Sequence, residues 1–164
     1  MAAEFTLTDE MKSVIGKESD PYPTEYTTTG IRAFARGVGY TDPVYYSVEA
    51  ARAAGYADLP APPCYLGVPV FVPAGSDSTY GQPQRSNAPS LKHGLPNVLD
   101  GGTSITYARI PVAGETLTFT SQVSNLEPKE SRSLGKMLVI SNKQTYSDAA
   151  GAVVLTVDAQ SIWY

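Results

Sequence analysis

The chain has 164 residues, of which 42% are apolar and 17% charged, and a formal net charge of −4. That balance describes a soluble, folded protein able to bury a core without covalent staples, and it argues against nucleic acid, whose phosphates need a basic face. The single cysteine, Cys64, and single histidine, His93, exclude an intrachain disulfide and a Cys/His zinc site within one chain. No apolar run approaches the ~18–20 residues of a membrane span. The N-terminal MAAEFTLTDEMKS carries no basic segment followed by an apolar one, so a cytoplasmic setting without a signal peptide is expected.

In chain order, Thr27 to Val38 places Ile31, Phe34, Ala35 and Val38 on one helical face, with threonines ahead as caps and Gly37 and Gly39 as stops. A second short helix is expected after Ser47, with Glu49 in its first turn and Gly55 at its end. The run from Cys64 to Val72 is almost wholly apolar and predicts a buried helix, opened by Pro62 or Pro63 and bent by Pro69. Cys64 among apolar neighbours is expected to be a packed core thiol. Ala74 to Pro96 turns to Gly, Ser, Pro, Asn and Gln and predicts a long loop. Alternating segments then predict strands over Thr103–Ile110, Thr116–Val123, Lys136–Tyr146 and Ala152–Ile162, parted by turns at 113–115 and 147–151. There is no internal repeat, so residues 1–164 are expected to form a single α+β domain with helix packed on an antiparallel sheet.

A series of short motifs is more specific. IGKES (15–19), IRAFARGVGYTDPVYYSVEAARAAGY (31–56), APPCYLG (61–67), LDGG (99–102) and PVAGETL (111–117) occur in that order. Together they resemble the N-terminal dehydratase type of the MaoC-like hotdog family, in which a curled antiparallel sheet wraps a central apolar helix. The resemblance covers nearly the whole chain from Met11. It implies hydration or dehydration of acyl chains held as thioesters on coenzyme A or acyl carrier protein, without cofactor or metal.

In active members of that family a loop reads approximately Gly-Asp-x-Asn-Pro-aliphatic-His-x-Asp, and its Asp and His share the acid–base work. Here Gly39, Pro43 and Val44 match. Tyr40 stands at the Asp position and Tyr45 at the His position; Asp42 replaces the Asn and Ser47 the final Asp. A phenol titrates near ~10 and is a poor base at neutral pH. The pattern therefore resembles the non-catalytic half of two-part dehydratases, which shapes the acyl tunnel while a partner hotdog protomer supplies Asp and His.

The tyrosines Tyr40, Tyr45 and Tyr46 suit packing, lining of a ligand slot, or chemistry. Asp42 suits a turn or a pocket-facing carboxylate. His93 suits a surface position, or, with Asp42, an acid–base role of the chain's own. The amides of Cys64, Tyr65 and Leu66, at the start of the expected apolar helix, are candidates to polarise a thioester carbonyl. Expected partners are an acyl-thioester or polyketide-like small molecule and a second hotdog protomer, in a homodimer or a heterodimer with a catalytic subunit. Two other readings stay open: a hotdog repurposed for isomerisation, cyclisation or cycloaddition, and a non-catalytic acyl-binding protein. The pI near 4.9 disfavours docking of this chain to an acidic carrier protein.

Overall fold

The computed structural model describes residues 5–70 and 91–164. Its elements are α1 (Asp9–Lys12), β1 (Tyr22–Glu25), α2 (Thr28–Gly37), a 3-10 turn (Pro43–Tyr45), α3 (Val48–Ala53), β2 (Val68–Pro69), β3 (Val98–Tyr107), β4 (Thr116–Ser131), β5 (Gly135–Ser147) and β6 (Val153–Trp163). The six strands form one sheet in the order β2-β1-β4-β5-β6-β3, with every neighbouring pair antiparallel.

The long β4–β5–β6 meander is what alternation predicts, since each strand buries one face. Register puts Phe119, Tyr146, Leu155 and Tyr107 in one cross-strand row. Against this end of the sheet pack Ile31 and Phe34 of α2, Val48 and Ala51 of α3, and Tyr26, Leu59 and Tyr65. A second cluster joins Val123, Leu126, Leu138 and Ile140 to Phe5, Met11, Val14, Leu95 and Trp163. On β5, Asn142 and Gln144 interrupt the apolar series between Ile140 and Tyr146 on the same face, and there the core divides.

Two strands run well past their expected ends. β3 begins at Val98 rather than Thr103, with a bulge between Asp100 and Gly102, and β4 runs on to Ser131 past a bulge between Val123 and Asn125. A bulge shifts the alternation by one residue, so the pattern breaks where the strand continues. β3 itself closes at Tyr107, short of Ile110. The short pieces β1 and α1 had no periodic signal of their own; α1 is a single turn capped by the Thr8 hydroxyl.

The apolar helix expected from Cys64 is not there. Pro62 to Gly67 makes a turn, with the Tyr65 amide donating to Pro62 O at 3.0 Å and Cys64 at φ 68°. Val68 and Pro69 then add β2 to the sheet opposite Glu25 and Thr24. Pro69 steers Val68 away from the α region, and Gly67, at φ 80°, lies where a Cβ would meet Thr24 Oγ1 at 2.7 Å. Phe71 and Val72 lie outside the described residues, as does residues 74–90 of the expected loop; residues 91–97 carry no regular structure. The helix that rests on the sheet is α2, with Ile31 and Ala35 fully buried. Cys64 is exposed, not packed in the core, because the turn carries it outward.

No helix among the described residues is long and apolar enough to cross a membrane.

Candidate functional site

The loop from Gly39 to Ser47 is set by backbone and capping bonds. At the end of α2 the Gly39 amide donates to Arg36 O at 3.2 Å and the Tyr40 amide to Ala35 O at 2.8 Å. These are the two bonds of a Schellman stop, which favours a left-handed residue, and Gly39 has φ 82°. Val38, past the helix end, is 52% exposed rather than part of the buried face.

Asp42 opens the next turn. Its Oδ1 accepts from the Val44 amide at 2.9 Å, and the Tyr45 amide donates to Asp42 O at 3.2 Å. Ser47 caps α3, its hydroxyl accepting from the Ala50 amide at 3.3 Å. Two side chains tie the loop across: Tyr46 Oη donates to Tyr40 O, and Arg32 Nη2 donates to Tyr46 O at 2.8 Å. The Asp42 carboxylate thus serves the turn and is exposed.

Held this way, the loop presents Tyr40 and Tyr45 as a stacked pair, centroids 5.6 Å apart and planes 26° from parallel. Tyr40 is 38% exposed. The Tyr45 hydroxyl titrates above the ordinary phenol range, because burial, then Tyr40, Asp42 and Tyr56, disfavour its anion. A phenol so placed keeps its proton near neutral pH and can donate a hydrogen bond, but it cannot serve as a base.

The other expected site residues are distributed differently. His93 belongs to the opposite end of the core: its ring lies 4.5 Å from Trp163 and its Nδ1 accepts from the Leu95 amide at 3.1 Å. Burial lowers its pKa, which favours the uncharged ring. The structure does not bring His93 together with Asp42, whose loop packs through Val44 on the α2–α3 cluster. The carbonyl-polarising amides do not converge either. The Cys64 amide donates to Tyr107 Oη at 3.3 Å and that of Tyr65 to Pro62 O, and no helix begins there to align them. Leu66 is half-buried, its carbonyl accepting from Thr24 Oγ1 at 3.2 Å.

Tyr65 is a core residue beneath α2. It meets Tyr26 edge-on at 5.8 Å and Phe34 at 5.2 Å. The hydroxyls of Tyr26 and Tyr65 are both buried; that of Tyr26 has no hydrogen-bond partner among the described residues, and that of Tyr65 lies against Thr27. Tyr26 is fully buried, and its pKa is raised strongly, first by burial and then by the nearby hydroxyls of Tyr146, Tyr107 and Tyr65. Tyr146, bonded to Gln144 at 3.0 Å, is pushed up to about 12 by burial. A buried hydroxyl without a partner costs about 1–3 kcal/mol. Tyr26→Phe should therefore leave stability unchanged or raise it by up to about 1 kcal/mol in urea unfolding; a clear loss would mean the hydroxyl is satisfied.

Two features gave no signal in sequence. One is Arg32, whose reach across to the Tyr46 carbonyl depends on tertiary structure. The other is a groove of about 690 Å³ on the solvent side of α2, lined by Thr29, Arg32, Ala33, Arg36, Gly37 and Tyr46. A second cavity of about 470 Å³ lies along the bulged end of β3 with β5 and β6, away from the loop.

The curled antiparallel sheet, the helix lying on it and the Gly39–Ser47 loop define a MaoC-like hotdog. The family model for the FAS1-like dehydratase domain region matches residues 13–157, and the chain belongs to that family. A UPF0336 protein of Streptomyces avermitilis is 34% identical over 146 residues, 88% of this chain and 89% of its own length. Among solved structures, the ChsH1-ChsH2 complex from Mycobacterium tuberculosis matches with a TM-score of 0.69 at 17% identity, covering 96% of this chain and 97% of the other. The C-terminally truncated HadBC (3R-hydroxyacyl-ACP dehydratase) complex from the same organism gives 0.69 at 17% identity, covering 91% and 96%. At these identities the structures speak to the fold.

Proposed function

We propose that this chain is the substrate-shaping subunit of a two-protomer MaoC-like hydratase or dehydratase acting on acyl thioesters, with the partner supplying the acid–base pair. One observation carries the reading. The loop stands at the family's acid–base position and is held by the Gly39 stop and the Asp42 and Ser47 caps, yet what it presents is a pair of stacked phenols, one of them held protonated. Such a surface suits lining an apolar slot with polar tips.

The partner reading draws on two further facts. Both structural relatives named above are complexes of paired subunits. Among the described residues β3 is an outer strand of the sheet with no strand beyond it, and its Val98 and Leu99 are 52% and 45% exposed. An open edge with exposed apolar residues suits pairing with another strand. We place the second hotdog protomer there.

Co-purification followed by hydration assays on a crotonyl thioester tests this. The chain alone should stay near background, and adding a partner with an intact Asp and His should raise turnover by at least about 100-fold, the usual worth of positioned acid–base groups. A normal rate from the isolated chain would sink the reading. If the chain instead promotes isomerisation or cyclisation by its phenols, Tyr40→Phe and Tyr45→Phe would abolish turnover of that substrate; in the shaping role they change the pair's rate by no more than about twofold.

A further inference from the structure

We propose that the groove on α2 is an anion site that receives the phosphate groups of a coenzyme A thioester, placing the acyl end towards the Gly39–Ser47 loop. This rests on the thioester reading above and deepens it.

The groove is part of the loop's own surroundings, since Tyr46 lines both and Arg32 is bonded to the Tyr46 carbonyl. Its volume, about 690 Å³, is of small-ligand size. The floor is Thr29, Ala33 and Gly37, one small residue per turn, so nothing long fills it. Arg32 and Arg36 stand one turn apart on the same side, where like charges disfavour a helix. No carboxylate among the described residues is ion-paired with either. Arg32 is held in place by its bond to the loop, which leaves its remaining N–H groups already oriented; Arg36 reaches into solvent.

Charge distribution supports the choice of an anion. The whole chain is at −4, yet α2 carries Arg32 and Arg36 and no carboxylate. The helix is therefore a positive strip within an acidic protein. Paired guanidiniums over a shallow apolar floor suit phosphate oxygens, which accept their N–H groups in a charge-assisted fork. The net negative charge of the chain repels the same ligand, so a face with two arginines free of any ion pair among the described residues is where a phosphorylated carrier should land.

The test is calorimetric titration of the full chain with coenzyme A, inorganic pyrophosphate and a crotonyl thioester of phosphate-free pantetheine. Three proteins are compared: wild type, Arg32→Gln/Arg36→Gln, and Ala33→Glu, which puts a negative charge on the groove floor and leaves both arginines in place. Coenzyme A binding should weaken at least about fivefold in both variants and fall with added salt, pyrophosphate should compete, and the phosphate-free thioester should bind all three proteins alike. Equal coenzyme A affinity in all three overturns the inference. So does a change of oligomeric state in the variants with unchanged coenzyme A affinity, since that would make the face a protein interface. If the phosphate-free thioester binds as tightly as the coenzyme A form, the anion site falls and the thioester reading survives. If pyrophosphate binding depends on the arginines while no thioester binds, the anion site stands and the thioester reading falls.

Discussion

Gly30→Ala is expected to destabilise the fold by about 2 kcal/mol, although alanine is the better helix former by about 1 kcal/mol. Gly30 lies in the first turn of α2, and an added Cβ would sit 2.1 Å from Tyr65 Oη and 2.9 Å from Thr27 Oγ1. Neither neighbour moves cheaply. Tyr65 is 6% exposed and wedged between Tyr26 and Phe34, and Thr27 Oγ1 caps the helix by accepting from the Gly30 amide at 3.0 Å. The collision therefore either lifts α2 off the sheet or breaks its cap. Tyr65→Phe removes the oxygen that clashes hardest, so the Gly30→Ala/Tyr65→Phe pair should recover more than half of the loss in urea unfolding. A Gly30→Ala protein as stable as wild type would show that the helix can slide on the sheet.

Tyr40→Asp/Tyr45→His is expected to give the isolated chain hydratase activity about 100-fold above wild type, towards the low end of what a positioned acid–base pair supplies. The argument is that the loop's shape does not depend on these two side chains. Its bonds come from the Schellman stop, the Asp42 and Ser47 caps, the Tyr46 hydroxyl and Arg32. The two rings lie side by side, so replacements at the same positions start from neighbouring points. Neither single variant should approach the double, because a lone acid or base leaves half of the proton transfer unassisted. Loss of enoyl-thioester absorbance reads the result. A double variant that folds normally and stays at background would mean that this loop does not face a bound thioester.

Several parts of this arrangement are legible in local sequence. The caps Thr27, Asp42 and Ser47, and the stop at Gly39, act within a few residues of themselves, and each is found as composition predicts. The strands are legible for as long as alternation holds, and lose definition at the bulges near Gly102 and Ser124. Cys64 to Val70 misleads because apolar content says buried without saying helical. The prolines at 62, 63 and 69 decide the matter in favour of a turn and a strand, and the Cys64 amide finds Tyr107, 43 residues away. His93 misleads for the converse reason: its neighbour Trp163 is 70 positions away, and no spacing rule connects them. The pairing of Arg32 with the Tyr46 carbonyl is likewise a product of two helices meeting at an angle that the sequence of neither specifies.

The divided core also bears on how the molecule opens. Asn142 and Gln144 separate an α2–α3 cluster from one built on the chain's two ends and residues 91–95. Each half is tied to the same long strands, but few apolar contacts cross between them, and regions of that kind exchange their amides as separate cooperative units. The half holding Phe5, Leu95 and Trp163 can fray while α2, the phenol pair and the arginine groove stay assembled. Breathing at one end of the sheet is thereby kept from the loop at the other.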